Sequence, residues 1–160
     1  MFSKSRRGIL KLFGLIPEGS FKNKLRCAYY NLRKSDFKMD YKEGCFLLRY
    51  PEYIIKSKEH FYFGANVFDK GYLKNGKIKK GDVVIDAGAY PGDFTLIAAN
   101  RVGENGKVIA YEPDPANYEK LMKTIKLNDV KNIIVVKKGL WSKEGVLKFR
   151  NVGSGFSSFI

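Results

Sequence analysis

Few of the residues that build metal and redox sites are present in this sequence. One histidine, His60, and two cysteines, Cys27 and Cys45, are spread over 160 residues in no metal-ligand spacing. That argues against a Cys/His zinc site and fits a reducing compartment. No apolar run approaches the roughly 18 residues that a membrane-spanning helix needs. The opening MFSKSRRGILKLFGLIPEGS is basic and then apolar, but Lys11 interrupts it and no small-residue cleavage site follows. It therefore does not read as a signal peptide, and a cytoplasmic chain, at most peripheral to a membrane, is expected. No G-x-x-x-x-G-K-[ST] phosphate loop occurs, and there is no internal repeat. RNA-recognition, zinc-finger and helix-turn-helix signatures are also missing, so nucleic acid is not the expected partner.

Acidic residues are scarce as well, 16 against 30 Lys and Arg, for a net charge of +14. The excess is uneven. Residues 1–80 carry 19 Lys and Arg against 7 Asp and Glu, a net +12, and the second half is close to balanced. Two readings stay open: an anionic partner such as nucleic acid, acidic lipid or acidic glycan, or a lysine-rich solvated surface. A hydrophobic content of 44% and an aromatic content of 14% are those of a folded domain.

The pattern changes style near KNGKIKKGD, residues 74–82, a turn by composition. Residues 1–75 read as a basic accessory segment of mixed helix and strand. Within it Ile9, Leu10, Leu12, Phe13 and Ile16 fall mostly on one helical face. That helix either docks on its own domain or lies on a membrane surface. CFLLRY (45–50) and EYIIK (52–56) read as short strands around Pro51, and the aromatic stretch 60–73 is suited to lining a pocket or capping a sheet.

Residues 76–160 alternate strand and helix. DVVIDAG is apolar without alternation, the pattern of a strand covered on both faces. A helix opens near Asp93, with Phe94, Ile97 and Ala98 on one face. GKVIAYEP (106–113) is a second strand. Asp114-Pro115 suits an N-cap followed by the first helical residue. Tyr118, Leu121, Met122 and Ile125 extend that helix to about Asn128. NIIVVKK (132–138) is a third buried strand and GVLKFR (145–150) a fourth extended piece. Strand, helix and strand in alternation predict right-handed crossovers and a parallel sheet, an α/β Rossmann-like fold.

The chemistry sits where strands end. Asp86 closes the first strand; Gly88 permits a sharp turn, and Gly92 lets the next helix start close to a bound group. Glu112 ends the second strand 24 residues after Gly88, where this architecture binds ribose hydroxyls. The dinucleotide fingerprint G-x-G-x-x-G is broken, because Tyr90 stands where its middle glycine belongs. Asp93 places a negative charge at the helix start, which disfavours phosphate. A phosphate-free, cationic nucleoside fits better, and S-adenosyl-L-methionine is the expected cofactor.

GDVVIDAGAYPGDFT, GKVIAYEPDPANYEKLMKTIKLN and NIIVVKKGLWSKEGVLKF together resemble the FkbM-type family of class I S-adenosylmethionine-dependent methyltransferases, over residues 76–150. The resemblance implies a methionine-side loop of Asp86, Gly88, Ala89 and Gly92, with Tyr90 in the same turn and Asp93 and Thr95 at the methionine end. It implies that Glu112 holds the ribose, with Pro113 and Asp114 beside the adenine and Gly139 and Leu140 near its edge. It further implies O-methylation of a hydroxyl on a sugar, glycan or related metabolite. Such folds have seven strands, whereas only 74 residues follow Asp86. The sheet is therefore expected to stop after its third or fourth strand, and a partner chain or second copy to complete it. No general base is evident. His60 has the right chemistry, and methyl transfer from a sulfonium depends mainly on in-line positioning.

Overall fold

A computed structural model describes residues 14–32, 37–58 and 76–146, together with the backbone of 149–150 and 158–159. The first block is helix α1 (Ser20–Asn31) followed by strands β1 (Lys38–Lys42), β2 (Cys45–Arg49) and β3 (Ile54–Ser57), antiparallel in that order. Glu43 and Gly44 join β1 to β2 with φ of 52° and 75°. Two successive positive φ values give the two-residue turn whose twist matches a hairpin. Along the three strands the side chains alternate. Met39, Phe46, Leu48 and Ile55 are buried, while Lys38, Lys42, Arg49 and Lys56 are exposed.

The expected strands at 45–50 and 52–56 are β2 and β3. Neither β1 nor α1 was anticipated, since KMDYK carries only two apolar residues and α1 has no side-chain N-cap. Both edges of this small sheet are closed by asparagine amides. Asn31 takes the Met39 N–H at 2.7 Å and returns Nδ2 to the Met39 carbonyl at 2.8 Å. Asn128 does the same with the Lys56 backbone, at 2.7 Å in each direction. Each amide substitutes for the neighbouring strand that an edge lacks. Most of the apolar stretch 9–16, and all of 60–73 with His60, lie outside the described residues.

The second block runs β4 (Val83–Ala87), α2 (Asp93–Val102), β5 (Lys107–Tyr111), α3 (Pro115–Lys126) and β6 (Ile133–Val136). The three strands are parallel in the order β4-β5-β6, with Asp86 beside Ala110 and Tyr111 beside Val136. The strands are added in one direction, so right-handed crossovers put both helices on one face. That face carries Val84, Val108, Ala110, Ile133 and Val135, packed against Ala98, Ala99 and Val102 of α2 and Leu121 of α3.

The opposite face differs from the expectation of strands covered on both sides. Val83 is 65% exposed, Ile85 60% and Ile134 46%. No described element packs over them. The segment expected as a fourth strand also differs. Among the described residues there, Phe149–Arg150 is extended (β7), pairing antiparallel with Ser158–Phe159 (β8) and not with the parallel sheet.

The two blocks share one core. Cys27, Phe37, Met39, Phe46, Leu48, Tyr50 and Ile55 form a buried cluster with Leu96 and Ile97 of α2. The small sheet thus lies against the outer side of the first crossover helix, and Asn128 ties its β3 edge to the end of α3.

Candidate functional site

The C-terminal ends of β4 and β5 meet in a hydrogen-bonded knot. After Ala87 the chain turns at Gly88, φ 79°, a left-handed conformation that favours glycine. The N–H groups of Gly88 and Ala89 both donate to the Tyr111 carbonyl, at 2.9 and 3.0 Å. The next donor, Tyr90 N–H, reaches Glu112 Oε2 at 3.2 Å. Glu112 Oε1 accepts the Asp114 N–H at 3.0 Å, and Asn117 contributes a side-chain hydrogen bond. The Glu112 N–H in turn donates to Val136 of β6 at 3.1 Å. One residue therefore holds the glycine turn, the end of β5 and the start of α3 together. Burial pushes its carboxyl above the ordinary range, and the donated hydrogen bonds oppose that rise.

Gly92 is the N-cap of α2 with φ 100°. The missing Cβ makes room for α3. A Cβ at this position would stand 2.9 Å from Leu121 Cδ1 and 3.4 Å from Thr124 Cγ2, both on α3. Gly92 is thus demanded by helix against helix and by its own backbone.

The first turn of α2 brings in two further carboxylates. Asp86 is buried, and Thr95 Oγ1 donates to its Oδ2 at 2.5 Å. Asp93 is also buried. Its Oδ1 accepts the Phe94 N–H at 2.9 Å, and its Oδ2 has no hydrogen-bond partner among the described residues. Loss of water pushes Asp93 up to about 7, and the negative charge of Asp86 adds to the rise. Asp86 is raised by burial and lowered in part by Thr95. Two buried carboxylates without a described cation between them form a site suited to a positively charged ligand.

The other anticipated residues divide. Asp114 is fully buried and caps α3, its Oδ1 accepting from Ala116 N–H at 2.8 Å and Asn117 N–H at 3.1 Å, with Pro115 at the first helical position. That cap was foreseen from Asp114-Pro115. Pro113 is half-buried between Glu112 and the cap. Gly139 and Leu140 follow β6 at the same end of the sheet, and Leu140 is 43% exposed. Two residues were missed. Asn117 supports Glu112 from the third position of α3, a spacing at which capping side chains reach back. Lys120 stands with Nζ 5.4 Å from the centre of the Tyr90 ring, a cation–π contact that no linear motif encodes.

The model of the TRM5/TYW2 methyltransferase domain matches residues 57–144, more than half of the chain. Among solved structures, a SAM-dependent methyltransferase from Aquifex aeolicus is 25% identical over 46% of this chain and 41% of its own, with a TM-score of 0.41. TYW2 of M. jannaschii, solved in complex with AdoMet, is 24% identical over 66% of this chain and 45% of its own, also at 0.41. TYW2 of P. horikoshii, solved with MeSAdo, is 21% identical over 75% of this chain and 47% of its own, at 0.40. The chain spans about half the length of these proteins or less. The match corrects the narrower part of the resemblance: class I methyltransferase ancestry stands, whereas the matching family is not the FkbM type. With its strand-end acids and glycine turn inside the matched residues, the chain belongs to the TRM5/TYW2 methyltransferase domain family, whose cofactor is S-adenosylmethionine.

Proposed function

We propose that this chain is the cofactor-binding part of an S-adenosylmethionine-dependent methyltransferase that acts on RNA. The observation that carries the cofactor half is the pair of buried carboxylates, Asp86 at the end of β4 and Asp93 at the start of α2. Asp93 Oδ2 is buried with no described partner, and a cofactor ammonium would supply the missing charge. Asp86 stands beside it, already oriented by Thr95. Glu112 keeps a narrower role than two ribose hydroxyls would need. Three donors already fill most of its roughly four acceptor positions, leaving about one for the ribose. The cofactor brings an electrophilic methyl on a sulfonium. The chain's own residues orient it through the glycine turn and the two carboxylates.

An RNA acceptor is supported by the family and by the charge, +12 in residues 1–80. This reverses the expectation against nucleic acid, which rested only on missing signature motifs. Sugar O-methylation came with the FkbM resemblance and has no support from the family matched.

Calorimetric titration with S-adenosylhomocysteine tests the cofactor half. Saturable binding is expected, with Asp93→Asn and Glu112→Ala each weakening it about tenfold or more, as loss of a charged hydrogen bond does. Transfer of a labelled methyl group to a cellular RNA pool, and not to a glycan pool, tests the acceptor. A folded chain that fails to bind S-adenosylhomocysteine would overturn the reading.

A further inference from the structure

The register of the small sheet sorts its charges in a way the linear sequence conceals. On β1, β2 and β3 the outward positions are Lys38, Asp40 and Lys42, then Cys45, Leu47 and Arg49, then Ile54 and Lys56. Every cation of the three strands is on that face, because the inward positions fill the core. Arg49 Nε donates to Asp40 Oδ2 at 2.7 Å, which neutralises one cation and confirms that the two share the face. Lys38, Lys42 and Lys56 form no ion pair among the described residues. At Lys42 the face runs onto the rim of a groove of about 520 Å³ between α1 and β1, where Lys24 and Asn31 also stand. The sheet ends where the matched methyltransferase residues begin, at 57.

We infer that the outward face of β1–β3 is a docking surface for an RNA backbone, with Lys38, Lys42 and Lys56 each serving a separate phosphate. The inference rests on the RNA reading above and gives it a location. The spacing sets the class of ligand. Lys38 and Lys42 are about 13 Å apart along β1, and Lys56 is about 10 Å across the sheet. Cations so separated suit a chain of phosphates better than one small anion. A lipid surface fits less well, because among the described residues of this face Ile54, 46% exposed, is the one large apolar side chain that stands out, with Leu47 half-buried. At Met39 and Lys56 the backbone groups of the two edges are already taken by Asn31 and Asn128. Contact falls to the face.

The test is fluorescence anisotropy of a labelled stem-loop RNA titrated with the full chain at several salt concentrations. The triple variant Lys38→Ala/Lys42→Ala/Lys56→Ala removes only exposed side chains. It should bind about tenfold or more weaker near physiological salt, with the log–log salt slope shallower by about two to three. Its S-adenosylhomocysteine affinity should be unchanged, which shows the fold intact. Lys107→Ala/Lys123→Ala/Lys126→Ala, exposed on β5 and α3, removes the same number of charges elsewhere, is the matched control and should change little. Wild-type RNA binding that the triple variant leaves intact would overturn this surface while the RNA reading stands. Equal losses in triple and control variants would also overturn it, because the attraction would then be diffuse. A chain that binds S-adenosylhomocysteine but no RNA removes the RNA reading and this inference together. Binding to phosphatidylserine vesicles through the same lysines, without RNA binding, would assign the face to a membrane instead.

Discussion

Asp93 illustrates how one side chain couples stability, ligand and pH. Its carboxyl rises from an ordinary 3.8 to about 7 in the folded chain. A raised acid favours the fold in its protonated form. That contribution is therefore complete below the unfolded value and is lost as pH rises through the folded one. The penalty at high pH is on the order of 4 kcal/mol. Asp93→Asn should flatten the fall in urea midpoint between about pH 4 and pH 7, leaving the variant more stable than wild type above neutrality. An unchanged pH profile would mean that Asp93 is hydrated. A cationic cofactor needs the ionised form, so S-adenosylhomocysteine affinity should rise as pH passes through 7. Gly92 makes a second prediction at this scale. Gly92→Ala combines a φ of 100° with a contact of 2.9 Å to Leu121. The loss should be about 2 kcal/mol or more in chemical denaturation. Ordinary wild-type stability in that variant would show that α2 and α3 can separate without penalty.

Helix α3 connects a cap at one end to a clamp at the other. Asp114 holds its first turn, and Asn128, just beyond its last turn, holds the edge of β3. Asp114→Ala should lower stability by about 1 kcal/mol through loss of the cap. It should also weaken S-adenosylhomocysteine binding, because the lost cap fixes the start of α3, from which the N–H of residue 114 and Asn117 orient Glu112. Asn128 is buried, and its amide makes three hydrogen bonds to backbone groups of Lys56 and Thr124. Asn128→Ala should cost about 1 to 3 kcal/mol, since it leaves the part-buried N–H and carbonyl of Lys56 without their partner. Hydrogen exchange on the variant should show deprotection concentrated at β3. Uniform deprotection would mean that the two blocks unfold as one unit regardless of the clamp. The element scale also separates legible features from hidden ones. The α/β rhythm of β4 to β6 could be read because long apolar runs and a 3.6-residue period are local signals. Strand β1 and helix α1 could not, since their partners across the sheet and in the core supply what their own residues lack.

For the whole molecule two forces oppose each other. Val83, Ile85 and Ile134 leave an apolar sheet face exposed, which favours association, while a net charge of +14 opposes it. Salt screens the second force and strengthens the first, so sedimentation velocity should show more self-association at high salt than at low salt. Ile85→Lys should abolish the increase. Salt-independent monomers would indicate that the exposed face is too small to drive pairing. The proposed RNA binding through the small sheet would run the opposite way, weakening with salt, so the two effects can be distinguished in one set of buffers.

Some features of the protein are local and needed only the order of its residues. The turn after Asp86, the acid at the end of β5, the Asp114-Pro115 cap and the parallel rhythm depend on neighbours within a few positions, and they pointed to a phosphate-free nucleoside cofactor. The tertiary structure decided what each of those residues does. The missing Cβ of Gly92 makes room for α3. Glu112 binds mostly its own chain, and Asp93 is buried without a described partner. Four scattered cations share one side of a sheet. Each of these outcomes depends on groups distant in sequence brought within a few ångströms, where burial and charge act through space.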